Sequence, residues 1–328
     1  MKSLNVLCIG FNQETLISLK KLINNNIKIS GLISTKKKKE KKGSDYVDLE
    51  PFAKKHKIAY FETDDINCIE AKNWIKNINV DVIFILAWSQ LFDSELLSLP
   101  KYFTIGSHPS KLPYGAGRAP VVWTILEELK STAVSLFKVN DGVDSGALLL
   151  QKEFDIPPNS NSRKLYDLIS ENLSDAFVEV YTKIINNELK EVNQDLQKRT
   201  IRAKRQPKDG YIDFKIMTNK EVDLLIRATT DPYPGAFSYY KNKKVIFWDS
   251  EIEENCKYKG TFGQILKKEN NSLLVQCKDF PIWLKDIWVE EKNDINFFKL
   301  GDCFGIDFIS EIEVLNKKIK ELEEMVKK

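Results

Sequence analysis

Between residues 6 and 185 the chain alternates short apolar runs with stretches of helical periodicity, and no other feature limits its fold as strongly. Residues 6–9 form an apolar run that ends at Gly10. Residues 14–23 then carry Leu16, Ile17, Leu19, Leu22 and Ile23 at helical spacing. Residues 27–33 and 58–61 read as further strands, with a helix starting at 52–55 between them. Residues 80–87 are apolar at nearly every position after Asp81, as in a buried strand. This alternation predicts an α/β fold: a Rossmann-like, mostly parallel sheet with helices on both faces. A helix at 121–128, strands at 133–139 and 148–154 and a long helix at 163–185 complete a first domain, placed at residues 1–200.

A polar, basic linker at 198–210 follows, and the grammar then changes. One helix at 219–229 precedes short strands rich in aromatic and β-branched residues, at 236–240, 244–248, 263–266, 273–277 and 282–289. Turn signals at short intervals predict a small all-β barrel or sandwich, placed at 201–307. Residues 308–328 form a third piece, an amphipathic helix. In it Phe308, Ile312, Leu315, Ile319, Leu322 and Val326 alternate spacings of four and three. Such a seam either docks on its own domain or makes a homodimer contact.

At 328 residues the chain is long enough for two domains. Its 50 basic and 47 acidic residues leave a net charge of +3, so any case for nucleic acid rests on local clusters. The five cysteines (Cys8, Cys68, Cys256, Cys277, Cys303) are odd in number, show no CxxC spacing and have no nearby histidine. That pattern argues against a disulfide framework and against a metal site, and fits a reducing compartment. No apolar run approaches the length of a membrane span. The expectation is a cytoplasmic protein with no membrane partner.

The chemistry centres on His108, one of two histidines. The β-prone run 102–105 leads through Gly106 and Ser107 to His108, and a Gly/Pro-rich loop follows. An imidazole at the carboxyl end of a buried strand stands where open α/β sheets bind ligands, and imidazole is suited to move a proton near neutral pH. Gly10-Phe11-Asn12 also ends a strand, but no GxGxxG follows, so a dinucleotide cofactor is not supported.

Two separated segments then carry a resemblance. His108-Pro109-Ser110-Lys111-Leu112-Pro113 with Gly117-Arg118-Ala119-Pro120, followed by Asp141-Gly142-Val143-Asp144-Ser145-Gly146, resembles the formyltransferases that use N10-formyltetrahydrofolate. In the second half, Arg205-Gln206-Pro207-Lys208-Asp209-Gly210 and the stretch from Ile226 to Phe237 look like that family's linker and the opening of its OB-like C-terminal domain. The resemblance implies an N-formyltransferase with N10-formyltetrahydrofolate as co-substrate and no metal. It also implies that His108 and Asp144 are catalytic, Asp144 orienting His108 and favouring its charged form. Trp88, Ser89 and Leu91, with Asn140 and Asp141, would cradle the pterin, largely through backbone groups. Lys111, Tyr114 and Arg118 would face the amine substrate. Arg118 could instead make a surface ion pair, and Asp144 could cap its own turn.

The family carries Asn two residues before its histidine, facing the developing oxyanion; here that position is Gly106. Three accounts stand: Ser107 or a nearby amide substitutes, a protonated His108 donates, or activity is lost. The first two imply that Gly106→Asn is tolerated or beneficial.

For the acceptor, Arg118 and the stretch Gly43-Ser44-Asp45-Tyr46-Val47-Asp48-Leu49 resemble the members acting on sugar nucleotides, such as UDP-4-amino-4-deoxy-L-arabinose formyltransferase in surface lipopolysaccharide biosynthesis. The alternative is methionyl-tRNA formyltransfer. The lysine-rich run 36–42 and the basic linker would then grip phosphates, although such runs also occur as solvated loops. A third reading is a non-catalytic folate-binding scaffold.

Overall fold

A computed structural model describes residues 3–36, 45–290, 292–306 and 308–326. The chain divides into two compact units, residues 1–206 with 231–234, and residues 207–230 with 235–328.

The first unit runs β1 (Val6–Ile9), α1 (Gln13–Asn24), β2 (Ile29–Ser34), α2 (Glu50–Lys55), β3 (Ala59–Glu62), α3 (Ile69–Ile78), β4 (Val82–Ile85), α4 (Ser94–Leu97), β5 (Phe103–His108), β6 (Ala116–Gly117), α5 (Pro120–Leu126), β7 (Ser131–Lys138), β8 (Leu148–Asp155), α6 (Ser162–Ile185) and β9 (Ile201–Arg202). Seven strands form one sheet in the order β3-β2-β1-β4-β5-β7-β8. β1 to β5 pair in parallel, while β7 and β8 are antiparallel. The strand order reverses between β1 and β4, the switch point at which such sheets open a crevice beyond their carboxyl ends. β1 and β4 are buried at every position, which is why they read as unbroken apolar runs. α6 lays Leu165, Ile169, Leu173, Ala176, Phe177 and Val180 against the sheet, with the Phe177 ring 5.1 Å from that of Phe84.

Helix α3 is absent from the sequence reading. Its buried face is Ala71, Lys72 and Ile75, and a small residue and a lysine do not register as an apolar stripe. Lys72 is held there by Asp93 and Glu95, at 2.6 and 2.8 Å.

In the second unit α7 (Asn219–Thr229) starts with a capping box between Thr218 and Glu221. β10 (Ala236–Tyr240), β11 (Lys243–Glu251), β12 (Ile265–Glu269), β13 (Ser272–Gln276) and β14 (Pro281–Val289) form an antiparallel sheet in the order β10-β11-β14-β13-β12. The chain near 304 links the two edges. Phe304 donates its amide to Gly263 beside β12, and Gly305 donates to Tyr239 on β10, both at 2.8 Å. Phe214, Tyr240, Phe247, Phe298 and Phe304 fill the interior. The last element is α8 (Phe308–Val326), and its residues 312–325 are exposed throughout. No helix among the described residues is long and apolar enough to cross a membrane.

Candidate active site

β5 ends in Gly106-Ser107-His108, in register with Ile85 at the end of β4. Period-two geometry puts Gly106 and His108 on one face and Ser107 on the other. The loops that follow β4 and β7, with the 115–120 loop, close a cavity of about 290 Å³ over this edge. Gly106, Ser107, His108 and Asp144 line it, and Trp88, Ser89, Leu91, Asn140 and Arg118 complete its wall. Asp141, Lys111 and Tyr114 lie off the wall. Lys111 is half-exposed and pairs with Glu153 at 2.7 Å, and Tyr114 is exposed. Arg118 is exposed and borders the cavity.

His108 is buried, with Nε2 2.8 Å from the Gly115 carbonyl. A carbonyl only accepts, so Nε2 carries the hydrogen and the Nδ1 lone pair faces the cavity side. Nδ1 lies 3.6 Å from Oδ2 of Asp144, too far for a direct hydrogen bond. Burial pushes the His108 pKa below the usual histidine value. The Asp144 charge and the Gly115 carbonyl oppose this, and the Arg202 charge adds to it. Desolvation therefore outweighs the carboxylate, and the resting ring is a neutral base rather than the imidazolium expected from an Asp neighbour.

Asp144 sits at φ +50°, and its Oδ2 accepts the Gly117 amide at 2.8 Å. That bond spans 27 residues, so the side chain binds a distant loop rather than capping its own turn. The Asn140 side chain does build the turn, accepting from Gly142 N and Ser145 Oγ at 3.1 and 3.0 Å.

The geometry bears on two expectations for the missing asparagine. The Ser107 hydroxyl donates to the Ile85 and Leu86 carbonyls at 3.1 and 3.4 Å, so its single proton is spent away from the cavity. A Cβ at Gly106 would stand 2.9 Å from the tip of the Phe137 ring and 3.0 Å from Val139. Phe137 packs against Leu112, Ala116, Val139 and Leu148 and also borders the cavity. Gly106→Asn therefore requires the Phe137 and Val139 side chains to shift.

Sequence reasoning also missed the roles of Gln194, Arg199 and Arg202, the two arginines being read as part of the basic linker at 198–210. Gln194 donates to the carbonyls of Asp144 and Gly146 at 3.0 and 2.7 Å, and Arg199 donates to that of Val143. Both thus hold the loop that carries Asp144, and Arg202 is buried and paired with Glu127, so it is not on offer to a phosphate. The only sign in the sequence is a β-branched pair, Thr200-Ile201, inside a basic run. Residues 37–44, which include Gly43, Ser44 and most of the lysine run, lie outside the described residues. Among the described residues no group of three or more His, Cys, Asp or Glu is placed to hold a metal ion.

Comparison with known proteins decides the family. A model described as formyl transferase matches residues 4–181, and one described as formyl transferase, C-terminal domain, matches residues 204–299. The chain belongs to the formyl transferase family. It is 28% identical over 274 residues to the bifunctional polymyxin resistance protein ArnA of Wigglesworthia glossinidia brevipalpis, covering 83% of this chain but only 40% of that one. It is 29% identical over 274 residues to the methionyl-tRNA formyltransferase of a Sulfurihydrogenibium species, covering 82% and 87% of the two chains. Among solved structures, WlaRD, a sugar 3N-formyl transferase determined in the presence of dTDP and 5-N-formyl-THF, superposes with a TM-score of 0.60 at 21% identity. The match covers 89% of this chain and all of that one, a likeness of fold.

Proposed function

We propose that the protein transfers a formyl group from N10-formyltetrahydrofolate to the amine of a nucleotide-linked amino sugar. The observation that carries this reading is the neutral His108 ring facing the Asp144 carboxylate across 3.6 Å, inside the cavity beyond the carboxyl ends of β4 and β5. A bound formyl donor would supply the electrophilic carbon. The wall at Trp88, Ser89 and Leu91 would hold its ring system.

As the acceptor nitrogen forms its bond to that carbon it becomes acidic, and His108 Nδ1 takes its proton. Nε2–H stays on the Gly115 carbonyl throughout, which fixes the ring plane. The resulting imidazolium is stabilised by Asp144; the tetrahedral adduct then collapses with cleavage of its bond to folate N10, and Nδ1–H returns its proton to that departing nitrogen. With Gly106 bare and the Ser107 proton spent, the new Nδ1–H or a nearby backbone amide would donate to the developing oxygen charge. Lacking a dedicated side-chain donor costs such a site about 100- to 1000-fold in rate. Arg118 offers a planar fork to a diphosphate.

Incubating the protein with N10-formyltetrahydrofolate and a panel of amino-sugar nucleotides, read by mass, tests the reading; a singly formylated sugar nucleotide is expected. Formylation of methionyl-tRNA alone, with binding that weakens steeply with salt, would instead establish the tRNA reading, which the relatives of that name favour. Folate binding with no formyl transfer to any amine would leave a non-catalytic scaffold.

A further inference from the structure

We propose that Arg202 is a positioning residue that sets the geometry of both His108 and Asp144 at once, acting with Thr200 through the 115–117 loop. The inference rests on the formyl-transfer reading for its kinetic consequences, though not for its structural ones. The loop serves the two catalytic candidates from neighbouring positions: the Gly115 carbonyl receives His108 Nε2–H, and the Gly117 amide donates to Asp144. Nearly everything else the loop backbone offers goes to residues 200–202. Gly115 N donates to Thr200 Oγ1 at 2.8 Å, Ala116 N to the Thr200 carbonyl at 3.0 Å, and Arg118 N to the Arg202 carbonyl at 3.1 Å. β6 and β9 thus form a two-stranded parallel ladder, with Gly117 opposite Arg202. Any slip of β9 moves the His108 acceptor and the Asp144 donor together.

The Arg202 side chain fixes that ladder. Its side chain is only 7% exposed. Nε and Nη2 grip Glu127 at 3.1 and 2.6 Å, while Nη1 donates to the Pro120 carbonyl and to Thr124 Oγ1 at 3.3 and 3.2 Å. The guanidinium bolts the loop to α5. Gly115, at φ +69°, leaves the slot it fills: a Cβ there would come within 2.8 Å of Arg202 Cζ. Stability alone does not call for such an arrangement, since a buried ion pair is often no better than apolar packing of the same volume. A fork that orients two reacting groups has a use that apolar packing lacks.

The charge matters as well as the shape. The charges that reach the His108 ring are Asp144, from the loop after β7, and Arg202, from β9. Glu127 is 41% exposed and offsets the arginine only partly, and Lys111 is turned outward to Glu153. Arg202 therefore opposes protonation of His108 at rest.

The test is imidazole ¹⁵N NMR on the full chain across a pH titration, with pH profiles of kcat/KM beside it. With only two histidines, a His56→Gln variant assigns His108. Wild type is expected in the Nε2–H form. Arg202→Met should move the His108 midpoint, and the acid limb of kcat/KM, to higher pH. Arg202→Lys should keep the midpoint near wild type yet lose about 10- to 100-fold in kcat, because the charge stays while the fork goes. Glu127→Gln should move the midpoint the opposite way, to lower pH, and it serves alone if Arg202→Met does not fold. A folded Arg202→Met with an unchanged midpoint and tautomer, or Glu127→Gln without effect on the midpoint, overturns the proposal. If wild type transfers no formyl group, the kinetic reading falls while the NMR outcomes still decide the role of Arg202.

Discussion

His108 Nδ1 and Asp144 Oδ2 stand 3.6 Å apart, facing each other without a hydrogen bond between them. A neutral imidazole and a carboxylate at that separation leave room for a proton that neither yet holds. Burial keeps the ring neutral, and the carboxylate favours the protonated ring that forms in turnover. In the proposed reaction the two groups would act on different states of the same proton.

Their removal separates these roles. His108→Asn deletes the base and is expected to abolish turnover in a protein that still binds folate. Asp144→Asn keeps the shape and deletes the charge that raises the His108 pKa. Its acid limb should therefore move to lower pH while kcat drops by about 100-fold or more. Equal turnover by His108→Asn and wild type would end the assignment.

Gly106 and Phe137 form a matched pair, and a double-mutant cycle in denaturant measures it. Gly106→Asn forces a Cβ against the ring and should cost about 1–3 kcal/mol. In a Phe137→Leu background the same change should cost less, with a coupling energy of about 1 kcal/mol between the two positions. Additive effects would mean that the ring does not set the space at Gly106.

The loop that carries Asp144 leans on Gln194. Gln194→Leu removes both bonds to the Asp144 and Gly146 carbonyls. Turnover should fall by about tenfold or more through misplacement of the carboxylate, with little change in folate affinity. Isothermal titration with folate alongside steady-state rates distinguishes this from general loss of fold.

What the sequence discloses and what it hides follow from burial. β1 and β4 are legible because strands buried on both faces are apolar throughout. His108 is legible because it ends a strand at the edge where such sheets bind ligands, whereas Asp144 is picked out only by the resemblance of its glycine-rich turn to a family motif. Arg202, Arg199 and Gln194 are not, since nothing in a polar run marks which member is folded inward. The vacancy at Gly106 is plain in the sequence. The ring that occupies the space comes from β7, and only the antiparallel pairing of Gly106 with Phe137 reveals it.

Glu14, in the first turn of α1, carries a pKa pushed up to about 8, by burial first and by the Asp45 charge second. An unfolded glutamate titrates near about 4.3. A raised folded value means that the native state holds a proton the unfolded state has lost. The stability it brings is complete below the unfolded pKa and is lost as pH rises toward 8. Glu14→Gln should accordingly be close to neutral in effect at pH 4 and increasingly stabilising up to about pH 8, level beyond that. Thermal midpoints of the two proteins across this range test the sign; a constant difference would show that the carboxyl does not titrate with folding.

The exposed seam of α8 is expected to pair with a second copy of the chain. Ile312, Leu315, Ile319 and Leu322 are each more than half exposed, so the helix does not dock on its own unit. Isoleucine at the a positions and leucine at the d positions is the pattern that favours a parallel two-stranded coil. In that register Lys318 at g meets Glu323 at e of the second copy, an attractive pair repeated on both sides. The full chain is thus expected to dimerise in a concentration-dependent way, because the seam spans fewer than about three heptads. Light scattering should show a dimer for wild type and a monomer for Leu315→Lys with Leu322→Lys. Glu323→Lys should weaken the dimer by setting like charges against each other, and adding Lys318→Glu should restore it. A wild-type chain that stays monomeric at every concentration, or a charge swap that fails to restore association, would remove the second copy as the occupant of this face.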